Sequence, residues 1–541
     1  MKTSTNKLMA LIAATTVLAM VLTACGGAPA AASPSGSKNL NISCTTTPET
    51  MDPHRGSGEN DLMIFVNVYE TLVRPNDTDS GAEAFLAKDW TVSDDGLSWQ
   101  FNLRDDVTFS DGTPLTAKDV KYSMDRLIGL GEGYAFIFTD LVKETSVVDD
   151  YTVAFELSKP FGPFLNALTT VCIVNSTLLE ANTVDGNYGE NGDYGTGFLL
   201  TNTAGSGPYV ISEFLVHDSI NLAKSAGYWG TVPEAAPDAV RVIELQDAAT
   251  TKMMLTSGEL DMVHGHQERT TLESLIANEG IETGDLPELG LNYFMINTKK
   301  APTDDVHIRR AISYATNYEE MSKIYGDMPE AIGPVPTTLW GHAAGLNRYT
   351  YDIDKAKAEI AQSAYADNLA NYPLEIAYIQ GNGDTGKLAM LLSSDLQAVG
   401  FTITLNEVPW VLFCNNEAEV ATSPNITNAF AVTNYPEAGS ILEFKYASWT
   451  VGNWNQNEWL QDEKFDNLLN AALETIDDQE RLDKYAELQT YLVDEVVPSV
   501  YTFNSVIKPI YNSARFDWRL SDGNPHPSTQ YNYYYADFRM K

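Results

Sequence analysis

The sequence is poor in basic residues and in cysteine. Among its 541 residues, lysine and arginine total 34 while aspartate and glutamate total 73, which gives a formal net charge of −39. A chain with this charge repels phosphate backbones and anionic lipid headgroups, so a basic nucleic-acid surface and a polybasic membrane patch are excluded. Four cysteines are too few for a fold that is stapled by disulfides.

Intrinsic disorder is excluded by what the chain does contain. Hydrophobic residues make up 44% of the sequence and aromatic residues 10%, enough to build a large core. Beyond the first two dozen residues, no run is long and apolar enough to cross a bilayer. The length predicts about three or four lobes.

The N-terminus has the pattern of an export signal. Lys2 and Lys7 precede an apolar run, 8–22, that is too short for a comfortable membrane span. The run leads into Leu-Thr-Ala-Cys at 22–25, which resembles the cleavage box of bacterial lipoproteins. We therefore predict a signal peptide at 1–24, a lipid on Cys25, a flexible tether at 25–37 and a location outside the cytoplasm. The alternative is an ordinary secretory signal with a chance cysteine.

Neither metal nor catalytic chemistry has a convincing motif. The remaining cysteines, Cys44, Cys172 and Cys414, match no metal-ligand spacing and are interpreted as buried free thiols. His264 and His266 would share one face of a strand, but two imidazoles do not complete a metal site. No nucleophile elbow, zinc-protease motif or phosphate loop is present. We predict no metal, no cofactor and no enzymatic activity.

Short strands and amphipathic helices alternate along the chain, which predicts an α/β fold. Trp99, Phe101 and Leu103 alternate as in a half-buried strand, and 151–157 repeats that pattern. Thr116 and Asp119 have capping-box spacing and predict a helix that begins there. Apolar residues at helical spacing predict further helices around 308–315, 388–396, 465–472 and 482–492.

One motif and a series of collinear segments resemble a known family. The motif is Phe-Ser-Asp-Gly-Thr-Pro-Leu-Thr-Ala-Lys-Asp-Val at 109–120, which resembles the signature of family 5 solute-binding proteins of ABC importers. Segments that match the family in order along nearly the whole chain are 51–54, 69–72, 86–90, 95–99, 205–209, 258–261, 304–311, 351–357 and 397–400.

The resemblance implies a two-lobed clamshell, the type II fold of periplasmic binding proteins, with an extra inserted domain. The implied lobe I combines 38–82, 205–301 and 503–541. The inserted domain II covers 83–204 and lobe III covers 302–502. A ligand that contacts both lobes would favour the closed state, which a permease then recognises.

The resemblance also implies positions for the ligand site. Thr46 and Thr47 match the cleft wall after the first strand, where an extended ligand pairs as an added strand. Tyr134 matches a cleft tyrosine, and Trp410 matches a tryptophan that lines the pocket of peptide binders. The alternatives are a plain turn at 46–47 and packing roles for the two aromatic residues.

The segment 433–437, Thr-Asn-Tyr-Pro-Glu, departs from the family pattern. Peptide-binding relatives have an aspartate where this chain has Asn434, and that aspartate holds the ligand's ammonium group. Thr433 and Tyr435 flank the position. Since an amide lacks the charge that makes such a contact strong, a neutral solute such as an oligosaccharide becomes an alternative ligand.

The expected function is a lipid-anchored receptor, monomeric, that captures a peptide and delivers it to an ABC permease. Peptide is preferred over sugar because it is the commoner ligand of the family. From other classes, a secreted hydrolase acting on peptide or glycan and a sensor or adhesin without a permease remain alternatives.

Overall fold

The structure is a computed structural model that describes residues 38–541 except Ser80, His266, Glu268 and Asn382. The predicted signal peptide, the tether and Cys25 lie outside the described residues. Within the described part of the chain, no helix is long and apolar enough to cross a membrane. Strands and helices alternate throughout, so the predicted α/β class is confirmed.

The first sheet has seven strands and collects segments from distant parts of the chain. The N-terminal strand Asn39–Cys44 lies in its middle, parallel to Ala239–Glu244 on one side and to Met262–Val263 on the other. This sheet therefore joins the start, the middle and the end of the chain in one layer. Its strand order is Tyr209–Leu215, Ser219–Lys224, Ala239–Glu244, Asn39–Cys44, Met262–Val263, Ile510–Asn512, Ile281–Thr283.

The second sheet is antiparallel and carries the predicted alternation. Trp99, Phe101 and Leu103 are buried, while Gln100 between them is exposed. The adjacent helix Ala117–Leu130 begins as the capping motif predicts, with the Thr116 backbone N–H donating to Asp119 at 2.9 Å. The strand order is Ala87–Val92, Ser98–Leu103, Thr152–Leu157, Val142–Asp149.

The third sheet separates two hydrophobic cores. Along the strand Leu286–Ile296, Tyr293 and Met295 pack in one core, and Phe294 and Ile296 pack in another. Successive side chains of a strand point to opposite faces of the sheet, so this one strand contributes side chains to both cores. The strand order is Ile403–Val408, Leu374–Ile379, Ile426–Val432, Leu286–Ile296, Ser499–Ile507.

Two short connections lead from the first sheet to the third. One is 284–285 and the other is 508–509, and they run side by side. Asp285 and Lys508 form an ion pair across them, and Thr283 Oγ1 donates to the Pro509 carbonyl at 2.8 Å. The strands Leu286–Ile296 and Ser499–Ile507, which adjoin these connections, pair with each other in the third sheet.

The remaining elements cover these sheets and connect them. Short strand pairs join Glu70–Thr71 to Cys172–Ile173, Val73–Pro75 to Ala82–Ala84 and Phe516–Asp517 to Arg539–Met540. The other α-helices are Glu59–Val68, Ala135–Phe138, Phe164–Leu168, Ser176–Asn182, Ala248–Ser257, Arg269–Ile276, Val306–Ala315, Tyr318–Ile324, Ile353–Ile360, Gly383–Ala398, Trp410–Asn416, Ala438–Tyr446, Glu463–Leu473 and Asp478–Tyr491, the last continued by a π-turn at Leu492–Val496. Single 3₁₀ turns occur at Gly189–Asn191, Phe198–Leu200, Leu369–Asn371, Ser448–Thr450, Thr529–Tyr533 and Tyr535–Asp537.

Candidate functional site

A cavity of about 160 Å³, here called the first cavity, lies where the three sheet regions meet. The start of the helix Glu59–Val68 and the segment 528–533 form its wall on the side of the first sheet. Tyr134 contributes from the region of the second sheet, and 432–436 contributes from the end of a third-sheet strand. A ligand in this cavity would therefore touch all three regions at once.

Four buried side chains that line the first cavity carry polar atoms without a hydrogen-bond partner among the described residues. These atoms are His264 Nδ1, Ser528 Oγ, Tyr435 Oη and Tyr533 Oη. Each of the four residues is at most 5% exposed. Buried polar groups are nearly always hydrogen-bonded, so four such residues in the wall of one cavity make it the candidate ligand site.

Carboxylates set the charge of the first cavity. Glu59 and Glu288 both line it, whereas no lysine or arginine among the described residues does. His264 Nε2 lies 3.3 Å from Glu59 Oε1, and the His264 ring packs edge-on against Tyr533 with a centroid separation of 4.5 Å. The cavity wall is thus rich in acceptors, which favours a ligand that brings N–H groups or a positive charge.

The segment 433–437 turns the chain from the strand Ile426–Val432 into the helix Ala438–Tyr446. Ser440 Oγ accepts from the backbone N–H of Asn434 at 2.9 Å and of Tyr435 at 3.4 Å. The Thr433 N–H donates to the Leu289 carbonyl at 2.9 Å. Held by these bonds, the Asn434 side chain lines the cavity at the carboxyl end of a strand, and its amide has no hydrogen-bond partner among the described residues.

Glu437 anchors the end of that segment. Its buried carboxylate accepts from Arg481 Nε at 2.7 Å, from Tyr485 Oη at 2.6 Å and from Asn166 Nδ2 at 2.7 Å. Asn166 belongs to the region of the second sheet, so this carboxylate also links that region to the third sheet. With three donors and a guanidinium, Glu437 holds the cavity wall in place rather than facing the ligand.

A second cavity, of about 370 Å³, shares Asn434 and Tyr435 with the first. Apolar and aromatic side chains dominate its wall, among them Phe136 and Trp449, which are 63% and 51% exposed. The partly buried carboxyl of Glu443 also lines it. Burial raises the pKa of Glu443, while nearby Lys159 and the Trp449 indole N–H lower it in part.

Tyr134 reaches the first cavity from a tight turn. Gly133 has φ = +54°, and a Cβ there would lie 2.7 Å from the His54 carbonyl oxygen, so only glycine fits. The turn directs Tyr134 to the cavity wall, where burial raises the pKa of its hydroxyl. Of the residues predicted from the sequence, Tyr134, Thr433, Asn434 and Tyr435 thus come together.

The other predicted site residues lie elsewhere. Thr46 is exposed and accepts from Asn60 at 3.0 Å. Thr47 is buried and its backbone N–H donates to Glu244 at 2.9 Å, so that donor is already occupied. Trp410, 45% exposed, stacks on Phe413 and lines neither cavity.

Sequence analysis alone missed Glu59, Glu288, Ser528, Tyr533 and Glu443 as cavity residues. His264 was considered only as a metal ligand, and its neighbour His266 lies outside the described residues. No local signal distinguishes these acids from those of the surface. The aromatic run at 531–535 is the one pattern that could have indicated a buried C-terminal wall.

Neither a group of metal ligands nor a disulfide occurs among the residues that the structure describes. The residues that the structure describes contain no group of three or more His, Cys, Asp or Glu that could hold a metal ion. Cys44, Cys172 and Cys414 are free thiols, and burial raises the pKa of Cys44 and Cys172 to about 12. Such thiols are unreactive at neutral pH.

Solved structures show which fold this chain has. The ABC transporter substrate-binding protein CtaP from Listeria monocytogenes superposes with a TM-score of 0.80 at 20% identity, covering 93% of this chain and 99% of that one. The periplasmic binding protein DppA from Helicobacter pylori, in complex with the peptide STSA, gives a TM-score of 0.70 at 22% identity, covering 93% and 98%. The chain has the two-lobed type II fold of these solute-binding proteins.

The family follows from the sequence. The profile of "Bacterial extracellular solute-binding proteins, family 5 Middle" matches residues 82–453. The probable D,D-dipeptide-binding periplasmic protein DdpA of Escherichia coli K12 is 29% identical over 481 residues, covering 86% of this chain and 88% of its own. The chain belongs to family 5 of the extracellular solute-binding proteins. It is a substrate-binding receptor of an ABC importer, acts outside the cytoplasm and is not an enzyme.

Proposed function

We propose that this receptor binds a peptide in the first cavity, with Tyr134, Thr433, Asn434 and Tyr435 among the contacts, and that Cys25 anchors it to the membrane as a monomeric lipoprotein. The observation that carries the ligand class is the set of orphaned polar atoms of His264, Ser528, Tyr435 and Tyr533 around an acidic cavity. A peptide offers alternating N–H and C=O groups to such atoms and an ammonium to the carboxylates.

Several relatives support a peptide ligand. One is named for D,D-dipeptides, another for dipeptides, and a solved neighbour holds the peptide STSA. Asn434 weakens the analogy at one point, since it brings no charge to an ammonium. Glu59 and Glu288 supply negative charge in the same cavity, so the departure at Asn434 does not by itself favour a neutral sugar.

Closure would occur about the paired connections 284–285 and 508–509. Two short segments that run side by side can bend together while the sheets at either end stay rigid. We place the boundary between the lobes at these connections. Ligand contacts on both sides of the cleft would then stabilise the closed state, which is the form that the permease recognises.

Calorimetric titration tests the ligand class. The purified protein is titrated with Ala-Ala, Ala-Ala-Ala and maltotriose. Saturable binding of a peptide and none of the sugar is expected, and a peptide at 100 times its dissociation constant should stabilise the fold by about 2.7 kcal/mol. Binding of maltotriose without any peptide would instead establish a neutral solute as the ligand.

Removal of a single hydroxyl group tests whether the ligand occupies the first cavity. Tyr435→Phe removes the orphaned Oη and keeps the ring, so we expect peptide affinity to fall about five- to tenfold while stability stays the same or rises. Tyr351→Phe, at an exposed tyrosine outside both cavities, is the matched control. Equal peptide affinity in both variants would place the ligand elsewhere.

The anchor has its own test. Cys25→Ala should release the protein from the membrane fraction of the producing cells into the soluble fraction, because the thiol that would carry the lipid is gone. Ala24→Ser, which keeps a small residue before the cysteine, is the control and should stay with the membrane. A Cys25→Ala protein that remains with the membrane would contradict the lipoprotein proposal.

A further inference from the structure

We propose that the second cavity is a subsite for a positively charged group of the ligand, an amine flanked by apolar surface, and that Glu443 is the residue that holds it. This inference rests on the proposed peptide-binding function and deepens it. It names the chemical class of the ligand group and the residue that selects it.

The first step is continuity between the two cavities. Asn434 and Tyr435 line both of them, so an elongated ligand can occupy both without leaving the cleft. Tyr435 is 5% exposed, and its hydroxyl has no hydrogen-bond partner among the described residues. Tyr435 thus places a buried hydroxyl in the wall that the two cavities share, beside any ligand that spans both.

The second step is the shape and polarity of the wall. Phe136 and Phe161 contribute from the region of the second sheet, and Phe444 and Trp449 from that of the third. Phe136 and Trp449 keep more than half of their surface exposed, an unusual state for large aromatic side chains unless something packs on them. Aromatic faces at the wall of a cavity attract organic cations.

The third step is charge. Glu443 and Asp140 line the second cavity and Lys159 is the basic residue that does so, so the balance is one negative charge. Glu443 is partly buried on the helix Ala438–Tyr446, whereas Asp140 is exposed. A partly desolvated carboxylate binds a cation more strongly than one at the surface.

Glu443 also supplies the negative charge that is lost because residue 434 is an asparagine rather than the family's aspartate. Asn434 brings no charge to the ligand, but the cavity that it shares brings the carboxylate of Glu443. The charge that an aspartate at 434 would supply is present a short way along the same cleft. The cationic group is either the α-ammonium or a basic side chain of the peptide, which share this chemistry.

The test compares Glu443→Gln with Glu474→Gln in the purified protein. Glutamine keeps the shape of the side chain and removes only its charge, and Glu474 is an exposed residue of the same region outside both cavities. The probes are Ala-Ala-Ala, acetyl-Ala-Lys-Ala, acetyl-Ala-Ala-Ala and tyramine, titrated by calorimetry. Tri-alanine carries only the α-ammonium, and acetyl-Ala-Lys-Ala only the basic side chain.

We expect Glu443→Gln to weaken at least one charged peptide tenfold or more, with acetyl-Ala-Ala-Ala unaffected and Glu474→Gln like the wild type. The peptide that loses affinity identifies the source of the charge. If the charged peptides bind Glu443→Gln as tightly as the wild type, this subsite is refuted while the peptide receptor stands.

Failure of the proposed function gives a different pattern. If no peptide binds but tyramine binds the wild type at least tenfold more tightly than Glu443→Gln, the amine subsite is supported and the peptide proposal fails. If neither the peptides nor tyramine bind the wild type, both proposals are overturned.

Discussion

Two buried carboxylates fasten the region of the second sheet to its neighbours, and they do so with different partners. Glu70, where the chain leaves the first sheet, accepts from Ser206 Oγ at 2.6 Å, Tyr228 Oη at 2.8 Å and Trp229 Nε1 at 2.8 Å. Glu437, on the opposite side, also has three donors, but one of them is the guanidinium of Arg481.

The two carboxylates have equal numbers of donors but differ in the charge of those donors. The donors to Glu70 are neutral, and burial raises the pKa of Glu70 to about 7 despite all three of them. Glu437 shares its site with a permanent cation. One junction therefore depends on pH, and the other depends on an ion pair.

The largest effect is expected from breaking the ion pair. Glu437→Gln leaves Arg481 buried without a counter-charge, so we expect the free energy of unfolding to fall by about 3–5 kcal/mol. Urea unfolding at pH 7 measures it, with Glu474→Gln as the control within about 0.5 kcal/mol. A loss below 1 kcal/mol would show that the site tolerates an unpaired guanidinium.

The pH dependence of the Glu70 junction comes next. Between its usual pKa of 4.5 and the folded value of about 7, the folded chain holds a proton that the unfolded chain lacks. Stability should therefore rise as the pH falls through 7 and be lost as the pH rises through it, by up to about 3 kcal/mol.

Glu70→Gln isolates that contribution. The difference in unfolding free energy between the wild type and Glu70→Gln should change by up to about 3 kcal/mol between pH 8 and pH 5. All other titrating groups are common to both proteins and cancel in this difference. Two curves that run parallel over this range would contradict a raised pKa at Glu70.

A smaller effect should follow from removing the neutral partner of Glu437. Asn166→Ala deletes the donor to Glu437 and the acceptor of the Ala82 N–H, but leaves the ion pair with Arg481. We expect a loss of about 1–3 kcal/mol by urea unfolding. A loss as large as that of Glu437→Gln would assign the stability to the amide rather than to the ion pair.

The smallest effect on stability is expected at Glu443, whose carboxyl faces a cavity instead of three donors. Burial raises the pKa of Glu443, so its charge opposes folding at neutral pH, and Glu443→Gln should leave the unfolding free energy unchanged or raise it by up to about 1 kcal/mol. A loss comparable to that of Asn166→Ala would make Glu443 a structural residue and weaken its assignment to the ligand.

Local patterns predicted much of the fold correctly. The strand Ser98–Leu103, the capped helix that follows Thr116 and the helix Val306–Ala315 all depend on residues within a few positions of each other. The motif at 109–120 led to the family. These signals can be recognised in the sequence because hydrophobic periodicity and helix capping depend on residues that are close together in the chain.

The candidate site was predicted only in part. Tyr134, Thr433, Asn434 and Tyr435 line the first cavity, whereas Thr46, Thr47 and Trp410 do not. The chain crosses between the first and third sheets at 284–285 and 508–509. Pairing of Leu286–Ile296 with a strand two hundred residues later decides that crossing, and no local pattern records it.

The sequence by itself determined the α/β class, the family and the export signal that it predicts at the N-terminus, because each is written in short-range periodicity or in contiguous motifs. Only the tertiary structure decided which of 73 acids hold the molecule together and which face the cleft. Glu437 meets Asn166 across 271 positions of the chain. Residues distant in the sequence decide whether a carboxylate is buried against a cation, against neutral donors or beside an open cavity. The same glutamate side chain therefore forms an ion pair at Glu437, has a raised pKa at Glu70 and lines a cavity at Glu443.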